Sequence, residues 1–157
     1  MKKKKTLDTL VKDIYNKLDT LTEGKSLGVS DETATAFGES MKQALLGWSG
    51  EQPVNKPTLR MSNIGKPNRQ LWYDMKSKAK TKSFSAPVQI KFLYGHILEE
   101  VVLFLARLAE HEVTSEQKEV NVDGIKGHMD CMIDGEVVDV KTASGFAFKK
   151  FKDGTLP

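Results

Sequence analysis

The chain has 157 residues, 39% of them hydrophobic and 29% charged, with a net charge of +3 and a single cysteine. That composition is ordinary for one globular domain with a buried core, and one cysteine excludes an internal disulfide and any multi-cysteine zinc or iron–sulfur centre. The longest apolar run, at residues 101–106, is far too short to cross a bilayer, and Met1-Lys-Lys-Lys-Lys5 leads into Thr6-Leu7-Asp8 instead of an apolar segment. The expected setting is therefore cytoplasmic, the host cytoplasm if a phage encodes the protein, with no membrane partner.

Leu7, Leu10, Val11, Ile14, Leu18 and Leu21 recur at helical spacing, which predicts an amphipathic helix over about residues 6–21. Ser30, followed by Glu32 and Thr33, is an N-cap for a second helix running to about Trp48. Residues 49–57 carry Gly50, Pro53 and Pro57 and read as a linker. Residues 1–50 thus form an α-helical N-terminal extension, expected to be loosely attached.

From residue 59 to 91 there are eight basic residues against one acid, Asp74, so this stretch is +7 and the remainder of the chain −4. A local basic block on a near-neutral chain points to a polyanion partner; a solvated lysine-rich loop is the plainer alternative. Within the block, Ser62 is expected to cap a short helix containing Arg69, Leu71, Trp72 and Met75, and residues 76–85 to form a loop. Beyond Pro87, the stripe Ile90, Leu93, Ile97, Val101, Phe104, Leu105 and Leu108 predicts a long helix to about His111.

Three strand-like runs follow, at residues 113–122, 125–133 and 136–142. Asp123-Gly124 and Asp134-Gly135 join them, the strongest short signal for tight hairpins, so the expected product is an antiparallel meander. Alternate strand residues share a face, which puts Asp139 and Lys141 on one side with Val140 between them. The second hairpin brings Asp130 near Asp139. Two carboxylates and an ammonium then converge at one sheet end, as metal-assisted phosphoester chemistry requires. Asp134 and Glu136 belong to the turn and read as structural.

On the long helix Glu99 follows Gly95 by four residues and shares its face; the alternative is that Glu99 and Glu100 are plain surface residues. None of the three histidines has zinc-site spacing. His128, two residues before Asp130, would face the same cleft. His96 stands one position off the Glu99 face, and His111 ends the helix, where a cation suits the macrodipole.

Taken in order, Gly95-x-x-x-Glu99 on a helix, Gly127-x-x-Asp130 on a strand, and Asp139-x-Lys141 before Thr142 resemble the active site of the PD-(D/E)XK nuclease superfamily, in its RecB-like and phage exonuclease branch. The resemblance covers roughly residues 59–151. It extends upstream, where Ser62, Gly65, Arg69 and Tyr73 resemble a Ser-x-x-Gly…Cys-x-Arg-x-x-Tyr block, with Asn68 near the place of the cysteine. It implies an α/β, restriction-endonuclease-like core at residues 58–157, a long helix followed by the β-meander that carries the site. Mg²⁺ or Mn²⁺ is the implied cofactor, with Glu99, Asp130, Asp139 and the Val140 carbonyl as ligands. Lys141 would orient or deprotonate the attacking water, or stabilise transition-state charge. Ser62, Arg60 and Arg69 would hold DNA phosphate.

The implied activity is a metal-dependent deoxyribonuclease, an exonuclease acting on DNA ends in recombination or DNA degradation, with a homo-oligomer or a recombination protein as further partner. A restriction-type or repair endonuclease would use the same site. A non-catalytic nucleic-acid-binding domain is the alternative from another class. The Gln-x-x-x-Tyr helix of RecB-like members is absent: residues 145–154 resemble only the segment that leads into it, so the core is expected to be truncated at its C-terminus and to leave an apolar edge exposed beyond Thr142.

Overall fold

A computed structural model describes residues 4–50, 58–76 and 84–155. The proline-rich part of the expected linker and most of the expected basic loop lie outside them. The long helix, Ala86–Leu108, is the axis of the fold; it follows Ser85, carries Pro87 in its first turn and places Arg107 in its last. Proline is tolerated there because the first helical N–H groups have no intrahelical acceptor.

Two N-terminal helices precede it. A short 3-10 turn, Leu7–Thr9, runs into helix α1, Leu10–Thr22. Helix α2, Asp31–Ser49, begins where expected: the Ser30 hydroxyl accepts the Thr33 N–H at 3.2 Å. Helix α3 is Asn68–Lys76, the axial helix is α4, and α5 is Gly145–Lys152. Helix α2 runs antiparallel to α4, with Phe37 and Phe104 stacked at 4.7 Å and the Trp48 indole N–H donating to the Gln89 carbonyl at 3.1 Å.

The N-terminal helices are not loosely attached. Leu7 and Leu10 pack against the buried cluster of Leu103, Ala106, Cys131 and Ile133, together with Val113 and Val138. Of the stripe that made α1 legible, Leu7 and Leu10 leave water against this cluster, while Val11 and Leu21 stay largely exposed. No helix among the described residues is long and apolar enough to cross a membrane.

After α4 come five short strands: β1 Val113–Thr114, β2 Glu119–Val122, β3 Ile125–His128, β4 Cys131–Ile133 and β5 Glu136–Val138. The expected three-strand meander survives in connectivity but is cut into two ladders, β1-β4-β5 and β2-β3. At both hairpins the two turn residues have positive φ, Asp123 at 51° with Gly124 at 82° and Asp134 at 53° with Gly135 at 89°. That is the type I′ geometry whose twist matches the flanking strands.

The cut lies at residues 115–118. Thr114 pairs with Met132 while Glu119 pairs with His128, so four residues on one side face three on the other. One extra residue makes this a bulge, and Ser115 and Gln117 take it up at φ 55° and 49°. Residues 139–144 leave the sheet, so the third run ends earlier than its pattern implied. Helix α5 follows, its Ser144 hydroxyl accepting the Ala147 N–H at 3.2 Å. Phe146, Phe148 and Phe151 on it are largely exposed, an apolar surface beyond Thr142.

One buried polar group ties these layers together. Helix α4 ends in a Schellman turn: Glu110 takes φ 64°, its N–H bonds to the Arg107 carbonyl and the His111 N–H bonds to the Ala106 carbonyl. That turn drives the His111 ring inward, where its side chain has no exposed surface. Nδ1 lies 2.6 Å from Asp134 Oδ2, and Nε2 lies 3.2 Å from Asp13 Oδ2. The second contact is within ion-pair reach but poorly aligned, leaving Nε2 without a hydrogen-bond partner. Hydrogen bonds from Lys5 and Thr9 hold the Asp13 carboxyl below its ordinary pKa. His111 does end the helix as its sequence position suggested, but it is a buried clasp between two carboxylates.

Replacing His111 with leucine keeps the volume but strands the Asp134 carboxylate. We expect a loss of about 1–3 kcal/mol in urea unfolding, the usual effect of leaving a buried acceptor without its hydrogen-bond partner. Asp13→Ala, at the more exposed end, should lose clearly less.

Candidate functional site

Helix α4 presents one stripe to the sheet: Gly95, Glu99, Leu103 and Arg107, four residues apart throughout and therefore on one face. Leu103 lies in the core and Arg107 pairs with Glu116 in the bulge. At the other end, a β-carbon on Gly95 would stand 4.0 Å from Thr142 Oγ1. Between them, Gln117 Nε2 donates to Glu99 Oε1 at 2.7 Å. The stripe places Glu99 over the end of the meander.

The β4-β5 register pairs Cys131 with Val138, so continuing it by one step sets Asp130 opposite Asp139. The cross-strand link persists there, because the Val140 N–H donates to Asp130 Oδ2 at 2.8 Å. Lys141 Nζ contacts Asp139 Oδ1 at 2.5 Å and stands 3.8 Å from Asp130 Oδ2. Asp130 has 18% of its side chain exposed, Asp139 64%. The inner carboxylate is held by the fold and the outer one by Lys141.

The electrostatics reflect this crowding. Desolvation first, then the Asp130 charge, push the Glu99 carboxyl above its ordinary value, against the opposing hydrogen bond from Gln117. The hydrogen bond to Asp139, reinforced by Asp130, raises Lys141, so its ammonium remains charged at neutral pH. Burial, then Asp130, push the Cys131 thiol up to about 11. A thiol so protonated is no nucleophile.

The flanking residues fall into two sets. Residues 60–63 dock on β3: Arg60 forms a parallel bridge with Lys126, and Met61 lies over Gly127. A β-carbon at 127 would come within 2.8 Å of Met61 Cβ, so this glycine is required by a close approach. Ser62 caps no α-helix. It sits inside a 3-10 turn, Met61–Asn63, and Asn63 Oδ1 accepts the Arg60 N–H at 2.9 Å. Pro67 stands between that turn and α3, its carbonyl accepting the Gln70 and Leu71 N–H groups.

Arg69, in the first turn of α3, lies over the Tyr73 ring at 5.9 Å. Arg60, Ser62 and Arg69 are exposed. Among the described residues no hydrogen bond or ion pair joins Ser62 or Arg69 to the carboxylates. His128 is exposed, opposite Glu119 in the β2-β3 pair, and its field acts on Glu119. His96, one turn before Glu99, lowers the Glu99 value and so lies near it.

One residue at the site has no place in the motifs of the sequence, Gln117. The interruption Ser115-Glu-Gln-Lys118 in an otherwise strand-like run is its available signal. Thr142, which follows Lys141 in the motif, stands near Gly95.

Glu99, Asp130 and Asp139 are hard oxygen donors, the type a Mg²⁺ or Mn²⁺ ion prefers. The like-charge crowding of Glu99 and Asp130 is what a cation would relieve. Among the described residues no three His, Cys, Asp or Glu side chains stand close enough together to hold an ion. Each carboxylate is engaged separately, Glu99 by Gln117, Asp130 by the Val140 amide and Asp139 by Lys141. The Val140 contact runs through its N–H. The donor set fits the ion in type, with Lys141 supplying the positive charge at Asp139.

Compared with family models, curated proteins and solved structures, the chain matches none.

Two outcomes follow from this geometry. A carboxyl raised on folding holds its proton more tightly in the native state, so native stability falls as pH rises from the ordinary glutamate value through the raised one. Glu99→Gln removes that loss and can still accept from Gln117. It should melt higher than wild type at pH 7 and converge with it near pH 4, as read by calorimetry. Gly127→Ala should lose about 1–3 kcal/mol through overpacking, and adding Met61→Ala should recover only the share due to Met61 Cγ and Sδ, because its Cβ, 2.8 Å away, remains.

Proposed function

We propose that this chain is the core of a metal-dependent deoxyribonuclease of the PD-(D/E)XK type. The observation that carries the reading is the arrangement itself: Asp130 and Asp139 one step beyond the Cys131–Val138 pair, Lys141 in reach of both, and Glu99 on α4 within electrostatic reach of Asp130. Carboxylates repel a phosphodiester unless a cation stands between them, so such carboxylates in a chain that also carries a basic block favour metal-assisted hydrolysis over passive binding.

When bound, Mg²⁺ or Mn²⁺ supplies Lewis acidity and lowers the pKa of a coordinated water. Glu99, Asp130 and Asp139 would be the residues to hold it through their carboxylate oxygens. Lys141, kept charged by Asp139, suits electrostatic stabilisation of the developing phosphorane charge better than proton abstraction. Arg60, Ser62 and Arg69 are exposed donors for the DNA backbone, and the planar guanidinium groups suit bidentate phosphate contact. An exonuclease acting on DNA ends is the form most in keeping with the sequence resemblance.

Mn²⁺ titration by calorimetry on wild type and Asp139→Ala, paired with digestion of end-labelled linear DNA, tests this. The expected result is Mn²⁺ binding at neutral pH that the substitution abolishes, and cleavage that requires the metal. DNA binding with no response to Mn²⁺ would instead support a non-catalytic nucleic-acid-binding domain.

A further inference from the structure

Gln117 makes two contacts that no other residue of the bulge makes. Its side-chain amide donates to Glu99 Oε1 at 2.7 Å, and its backbone N–H donates to the Asp130 carbonyl at 2.9 Å. One residue therefore spans both elements that bring the inner carboxylates together. Its φ of 49° lies in the left-handed region, which a side chain bearing a β-carbon enters only at some cost. Such a conformation in a non-glycine residue persists where the surroundings over-determine it.

The surroundings here do so. Glu116 is held by Arg107 from the last turn of α4, and the Met129 N–H bonds to the Lys118 carbonyl at 3.1 Å. Residues 116, 117 and 118 are thus each tied down, to α4 or to the chain between β3 and β4. The extra residue in this strand aims the Gln117 side chain at α4; with regular pairing through 115–118 the alternation would run differently.

We propose that Gln117 is a positioning residue for Glu99, setting its carboxylate toward Asp130 and leaving Oε2 for a ligand. The proposal rests on the reading of Glu99 and Asp130 as metal ligands. A partner of this kind orients a ligand without touching the ion, and its loss commonly weakens metal affinity about 10–100-fold. Glutamine suits the task because its amide donates to a carboxylate and has no charge of its own to compete for the ion.

The test is Mn²⁺ calorimetry on wild type, Glu99→Gln, Gln117→Ala and Gln117→Gly, with thermal unfolding of each in the absence of metal. Glycine accepts the positive φ freely, so Gln117→Gly keeps the bulge while deleting the side-chain arm. We expect Gln117→Gly to melt within a few degrees of wild type yet bind Mn²⁺ roughly 10-fold more weakly or worse, with Gln117→Ala behaving alike and Glu99→Gln weaker still. Wild-type Mn²⁺ affinity in both Gln117 variants, with Glu99→Gln impaired, would overturn the role of Gln117 and leave the metal site standing. Absence of Mn²⁺ binding in wild type would overturn both.

Discussion

Asp134 is required by two structures at once, and the rest of the molecule depends on the coincidence. As first residue of the type I′ turn it takes a positive φ, which aspartate tolerates better than most residues because its short side chain bonds locally. That side chain also accepts the Glu112 N–H at 3.1 Å and meets the buried His111 ring. The turn sets the register that puts Asp130 opposite Asp139, while the His111 contact fixes the hairpin tip to the end of α4. Asp13 brings α1 to the same ring. A polar group buried this completely is tolerable only when paired. The clasp joins α1, the end of α4 and the hairpin tip at one buried ring.

From that anchor the α4 stripe works outward. Arg107 and Leu103 sit in well-matched surroundings, an ion pair and the apolar core. Glu99, one turn further, is placed against its own interest: partly desolvated and close to another carboxylate. Folding brings like charges together there because the helix and the hairpin are fixed elsewhere. Strain of this sort, held in place by the rest of the fold, is a feature of functional sites. Lys141 offsets it from one side and the Gln117 amide from the other.

Much of this was legible in the chain. The amphipathic periods of α1 and α4, the Ser30 cap and both Asp-Gly turns are local signals, each set by a few neighbouring residues. The motifs Gly95-x-x-x-Glu99, Gly127-x-x-Asp130 and Asp139-x-Lys141 could be placed on helix and strand ends for the same reason, since helical and extended periodicities are fixed by the backbone. The facing of Asp130 and Asp139 followed from a tight turn of known length.

What only the tertiary structure decided were contacts between segments distant in the chain. The bulge at 115–118 left no periodic trace beyond a polar interruption, and its consequence, the hydrogen bond from Gln117 to Glu99, depends on how α4 lies over the sheet. Met61 over Gly127 and the removal of Ser62 from a capping role arise because residues 60–63 dock on β3. His111 read only as the helix end, since nothing local shows that a Schellman turn will drive it between two carboxylates 98 and 23 residues away. Local sequence determines backbone period and turn type through short-range sterics; partners that meet across the core are set by packing, which depends on the whole chain at once.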